Sequence, residues 1–327
     1  MNEPQNRTGD NRDRVDRAMR AMEEHTGTVP GYRRAHPRGI GLRGHFTADP
    51  AIAALTTAEH LQGDPVETVV RLSNASGSPY APDRHSAERG GVLGLAVRFA
   101  LPSGGFSTWG APNIPAFPAA TPEEFIEITN AQRRSPRTGR PSILRLLRYV
   151  ARHRNSLPGL KGIAGLPAAR SFATTRFNGL HAYHLVDAEG TRRPFRYHWA
   201  PDAGVETFDA RDHAVLPPQY LISEIRQRLA EGPVSWSLFL QMAEEGDPLD
   251  DVTRAWPKER RLVRAGRLVV DRVHEDQEFV EGLVFDPTNV PAGVEPSGDP
   301  ILHFRSSVYG ESHRRRTSEA KPSVKAE

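Results

Sequence analysis

The chain has 327 residues with a net charge of +3, 37% hydrophobic residues, 28 Gly, 28 Pro and no cysteine. The absence of cysteine excludes disulfides, thiolate-bound metals and cysteine nucleophiles. No apolar run is long enough to span a bilayer, and the polar start, Met1 to Arg20, lacks a secretory pattern, so a cytoplasmic protein without stable membrane insertion is expected. Lysine occurs only at positions 161, 258, 321 and 325, and the many arginines are interspersed with acids. That pattern gives no nucleic-acid-binding stripe and leaves carboxylate or phosphate recognition open.

Residues 1–12 are polar and expected to be disordered. Arg14 to His25 places Val15, Ala18, Met19 and Met22 at helical spacing, and Gly27 and Pro30 close that helix. Glycines at 39, 41 and 44 mark a strand that bends or packs closely against something. Val66 to Leu72 and Gly94 to Ala100 read as strands, with a polar loop over 73–91, and Phe106 to Trp109 reads as a short one. Thr121-Pro-Glu-Glu starts a helix, and Ser142 to His153 is another. Leu180 to Val186 and Phe195 to Trp199 form a hairpin around Asp187 to Gly190. Tyr220 to Glu231 is helical. Val234 to Met242, Arg267 to Val273 and Glu278 to Val284 are expected as strands. A Pro/Gly-rich connection runs over 282–305, and 318–327 is a disordered polar tail. The sum is an α+β fold with an antiparallel β-barrel core, flanking helices and a long wrapping connection.

Few motifs carry chemistry by themselves. His36 precedes the glycine-rich strand and has the right pKa range for acid/base work, although any one of 13 histidines is more often a plain loop residue. Arg71 and Ser73 end a strand, where they could bind an anion and orient a histidine. Asn113 lies in a Pro-rich turn. In a helix, Arg305, Tyr309 and His313 would share one face. A guanidinium beside a phenol favours the phenolate, an anionic ligand for iron. Alone, that pattern is better read as an amphipathic last helix with a solvated basic end. There is no HExxH and no G-x-S-x-G.

Taken together, these segments resemble the haem catalases, and their length matches the small catalase-related peroxidases (minicatalases). His36-Pro-Arg-Gly39-Ile-Gly41 is similar to the distal-histidine segment, Arg71-Leu-Ser73 to the following strand, and Phe117 and Phe125 to the distal phenylalanines. Gly179 to Gly204 is similar to a long hairpin, Phe285 to Ser297 to the approach to the proximal side, and Arg305-x-x-x-Tyr309 to the proximal-tyrosine motif. The resemblance covers nearly all of 30–317 and implies one haem-binding domain over 31–317, preceded by an arm over 1–30.

The resemblance also implies roles. Tyr309 ligates the iron of haem b, backed by Arg305, His198 and Asp299. His36 is the distal acid/base, oriented by Ser73. Arg33, Arg71 and Arg316 bind the propionates, with His313 close by, and Phe117 and Phe125 line the cavity. The implied function is a peroxidase that uses hydrogen peroxide or an organic hydroperoxide and oxidises an organic donor, with weak catalase activity allowed and a homodimer compatible. Conversion of fatty-acid hydroperoxides, as in allene oxide synthases of this fold, and non-catalytic haem binding are the alternatives. One departure stands out. In the family an Asn-Asn-Thr-Pro run supplies a distal amide, and here Ala111-Pro112-Asn113-Ile-Pro115 puts proline at that place, so Asn113 has to shift to take the role.

Overall fold

The computed structural model describes residues 3–86, 89–135, 139–209, 212 and 215–319. Its centre is a nine-stranded antiparallel sheet. The strands are β1 (Arg38–Ala48), β2 (Val66–Asn74), β5 (Leu93–Ala100), β6 (Phe106–Pro112), β8 (Phe177–Val186), β9 (Arg192–Pro201), β11 (Val234–Met242), β12 (Leu262–Val273) and β13 (Val294–Pro296). They lie in the order β13-β8-β9-β11-β12-β1-β2-β5-β6. Two small ribbons, β3 (Arg84–Ser86) with β4 (Arg89–Gly90) and β7 (Ala168–Ala169) with β10 (Thr207–Phe208), stand apart from it.

The sheet curls until its far members meet. The Tyr197 hydroxyl on β9 donates to the Gly110 carbonyl on β6 at 2.9 Å. Inside the curl, alternate residues of each strand form one apolar core. Phe46 meets Phe99 and Trp199 edge to face, with ring centroids 5.3 and 6.0 Å away. Each ring buried this way resists truncation by about 3–5 kcal/mol.

Helices flank this barrel. They are α1 (Glu3–Thr26), α2 (Pro122–Gln132), α3 (Ile143–Arg152), α4 (Leu157–Ala164), α5 (Tyr220–Glu231), α6 (Gln277–Gly282) and α7 (Pro300–Ser318). Val15, Ala18, Met19 and Met22 of α1 pack with Ile126 of α2 and with Phe304 and Val308 of α7. The Thr121 hydroxyl caps α2 by accepting from the Glu124 N–H, as its sequence signature requires.

Three expectations need correction. Helix α1 begins at Glu3, well before the expected start at Arg14. Residues 278–284 are not a strand: Asp276 caps a helix there by accepting from the Phe279 N–H, and Val280 packs so close to β1 that a Cβ at Gly41 would lie 2.7 Å from it. The last helix continues to Ser318, and the next residue, Glu319, accepts from the Arg34 guanidinium and the Gly31 N–H. The remainder of the expected tail, 320–327, lies outside the described residues.

Candidate active site

Strand register builds the first half of the site. Ser73 at the end of β2 pairs with Gly39 on β1 and with Gly94 on β5. The His36 ring lies over this row, and its Nδ1 is 2.9 Å from Ser73 Oγ. A Cβ at Gly94 would stand 2.9 Å from His36 Cε1 and 3.1 Å from Ser73 Oγ, so only glycine leaves room for the ring. The Ser73 hydroxyl faces the Gly94 carbonyl at 3.5 Å. A hydroxyl that donates to that carbonyl accepts from His36 Nδ1–H, which leaves Nε2 as the free base. The His36 pKa is pushed down to about 3 by burial, reinforced by the positive charges of Arg71, Arg305 and Arg33. Its backbone adopts φ +54°, a left-handed conformation unusual outside glycine.

The second half is a line of side chains that ends on Tyr309. Asp299 is fully buried and caps α7 by accepting from Ile301 N–H at 2.8 Å. Its other oxygen is 2.7 Å from His181 Nδ1, and His181 Nε2 is 2.8 Å from a terminal nitrogen of Arg305. Arg305 in turn donates to the Tyr309 hydroxyl oxygen from NH2 at 2.7 Å and from Nε at 3.2 Å. A guanidinium can only donate, so Nε2 of His181 accepts and its proton sits on Nδ1, facing Asp299. Burial, opposed by Asp299 and assisted by Arg305, lowers the His181 pKa to about 4 and keeps the ring neutral. Burial works against the charge on Arg305, but Tyr309, Tyr183 and Tyr197 together raise the Arg305 pKa above its ordinary value.

This arrangement corrects one assignment. His198, expected beside Asp299, points the other way. On β9, Phe195, Tyr197 and Trp199 face the core, so His198 faces outward, where its ring stacks on Phe239, its direct partner on β11. His181 holds the place between Asp299 and Arg305. It sits where the pairing of β8 with β9 slips between Gly179 and Tyr183, and that irregularity defeats a count of alternating positions.

Between the two halves lies an arginine cluster. Arg33 and Arg71 both hold Glu281, at 3.2 and 2.9 Å. Arg71 also donates to the His36 carbonyl at 2.9 Å. Arg33 and Arg316 share the Leu283 carbonyl, at 2.8 and 3.1 Å. Burial and the charge of Arg71 bring Arg33 down to about 9, and burial brings Arg316 down to about 10. Burial opposes the charge of Glu281, but the two arginines hold it below the ordinary carboxylate range. Glu281 is not among the residues the sequence points to, because Glu278 to Val284 is expected there as a strand. The Asp276 cap was the signal that could have found it.

Phe117 and Phe125 stack at 6.1 Å, and Phe125 meets Phe304 of α7 at 6.4 Å. Nδ1 of His313 is buried without a hydrogen-bond partner among the described residues. Asn113 does not shift into the distal role. Its side-chain oxygen accepts from Leu93 N–H at 2.9 Å and its amide donates to the Gly91 carbonyl at 3.4 Å, so it braces the start of β5.

The antiparallel barrel thus carries a guanidinium-backed tyrosine, a part-buried histidine–serine pair and three clustered arginines. The catalase family model matches residues 22–324, and the chain belongs to that family. It is 36% identical to a catalase-related peroxidase of Mycolicibacterium paratuberculosis, over 92% of this chain and 94% of that one. It is 30% identical to a catalase-related peroxidase of Synechococcus elongatus, over 92% and 88%. A solved fungal catalase shares the fold, with a TM-score of 0.78 at 24% identity over 88% of this chain and 60% of that chain.

Proposed function

We propose that this protein is a haem b peroxidase that draws oxidising equivalents from hydrogen peroxide or an organic hydroperoxide and passes them to an organic donor. The observation that carries the reading is the hydrogen-bonded line Asp299–His181–Arg305–Tyr309, which ends on the hydroxyl of a partly exposed tyrosine. The residues suit a haem. Tyr309 offers iron an oxygen ligand. Arg33, Arg71 and Arg316 offer planar donors to propionates. His313 brings a buried, unpartnered nitrogen, and Phe117 and Phe125 bring an apolar wall.

When bound, haem supplies the two-electron reduction of the peroxide O–O bond, which no side chain here can provide. The chain's own residues manage protons and charge. His36 Nε2 takes the proton from one peroxide oxygen and returns it to the other, so that water or an alcohol leaves. Ser73 holds the ring in the tautomer that makes this possible. Arg305 donates to Tyr309 and cannot be deprotonated by it, and His181 and Asp299 fix the guanidinium in place.

The test is the absorption spectrum and donor oxidation of haem-loaded protein. His36→Ala should keep the spectrum and lower peroxide-dependent turnover by about 100-fold or more. Tyr309→Phe should weaken haem retention. If His36→Ala turned over within a few-fold of the parent, the assignment would be wrong.

A further inference from the structure

Helix α3 shows an apolar face on both sides. Its inner face packs on the wall of the candidate site: Tyr149, Leu146 and Val150 join a cluster with Phe117 and Phe125, and the Tyr149 hydroxyl donates to the Pro118 carbonyl at 2.8 Å. Its outer face carries Ile143, Leu144 and Leu147, which remain 72%, 79% and 59% exposed. Three large aliphatic side chains this open on one helix are a patch, not scattered surface residues. They lie at i, i+1 and i+4, so they form one stripe.

Along the chain, the charge on either side of the stripe is all of one sign. From Arg133 to Lys161 the chain has eight arginines and one lysine and not a single Asp or Glu. Arg148 and Arg152 continue the stripe one and two turns on from Leu144, both exposed. Neither makes an ion pair among the described residues. Acids from other elements do meet this stretch, but Glu124 and Glu127 of α2 are held by His153 and Asn155, and Glu24 of α1 by Arg133. No helix among the described residues is long and apolar enough to cross a membrane, so the element can lie on a bilayer but not span it.

We infer that the outer face of α3 docks on an anionic lipid surface, with Ile143, Leu144 and Leu147 entering the acyl boundary and Arg148 and Arg152 meeting the headgroup charge. Aliphatic side chains beside two exposed arginines, Arg148 and Arg152, suit this partner. They do not suit a nucleic acid, which needs aromatic stacking or groove contacts. The docked face lies directly behind Phe117 and Phe125, so the membrane would sit against the apolar wall of the site. The inference does not depend on the haem assignment, because lipid binding is read separately from haem content.

The experiment is co-sedimentation of the full-length, haem-loaded protein with vesicles of phosphatidylcholine, with or without about 30% phosphatidylglycerol. The parent should bind the anionic vesicles, leave the neutral ones largely unbound and be released by salt. Arg148→Gln with Arg152→Gln should weaken binding about 25-fold, roughly fivefold per cation. Leu144→Asp with Leu147→Asp should abolish binding, and both pairs should keep the haem spectrum. Failure of the parent to bind, or equal binding by the variants, would overturn the inference. So would a shift of the Leu144→Asp, Leu147→Asp protein from dimer to monomer without lipid, which would make this face a contact between copies.

Discussion

Asp299 does two jobs with its two oxygens, and removing it separates them. One oxygen caps α7, and a lost cap costs about 1–2 kcal/mol. The other accepts from His181 in a fully buried place, a bond to a charged group worth about 1.5–3 kcal/mol. Asp299→Ala also leaves the His181 N–H without a partner, so the expected loss is about 3–5 kcal/mol. Asp299→Asn keeps an oxygen for the cap and loses the anionic acceptor, for an expected loss of about 1.5–3 kcal/mol. Urea unfolding of the haem-free chain, followed by circular dichroism, measures both without interference from cofactor loss. The haem-loaded variants should show an altered absorption spectrum, because Arg305 is no longer held against Tyr309. A cost below about 1 kcal/mol for Asp299→Ala, or equal costs for the two variants, would refute the dual role.

Three further outcomes follow from the same geometry. His181→Gln should disturb the haem spectrum and lower stability, whereas His198→Gln should leave the spectrum unchanged; the reverse result would restore the original assignment. Gly94→Ala should depress turnover far more than haem content, since its methyl group would press on His36 and Ser73. His60 is fully buried between Phe99 and Trp109, with neither ring nitrogen partnered among the described residues, and burial lowers its pKa to about 3. Below the ordinary histidine value the unfolded chain takes up a proton that the folded chain refuses. Stability therefore falls as pH drops from about 6.5 toward 3, by about 1.4 kcal/mol per pH unit for this ring. His60→Leu should flatten that slope in unfolding experiments between pH 4 and 6, and an unchanged slope would mean that the ring is not held neutral.

The sequence showed most clearly what depends on local spacing. Arg305 and Tyr309 are four apart on a helix, and that alone predicts the contact observed at 2.7 Å. The helix over Tyr220–Glu231 and the strand over Val234–Met242 end where their patterns end. What depends on tertiary placement was harder to read. The pairing of His36 with Ser73 needs the register of three strands. The resemblance points to His198 beside Asp299, whereas the slip in the pairing of β8 with β9 turns His181 to that place. Glu281 lies in a Phe- and Val-bearing segment that reads as a strand, while its Asp276 cap makes a helix. The exposed stripe on α3 does not show in the charge balance of the whole chain, where acids and arginines intermix, but only in the one stretch where they do not.

The left-handed backbone of His36 has an evolutionary consequence. A residue with a Cβ loses about 1–2 kcal/mol in that conformation, and the proline that follows pushes its predecessor toward extended geometry instead. Glycine would relieve the strain and asparagine would tolerate it. His36→Gly should therefore make a more stable chain that does no chemistry. Selection for folding and selection for turnover pull in opposite directions at this position. A lineage that gave up the reaction would be expected to lose the imidazole early and keep its barrel.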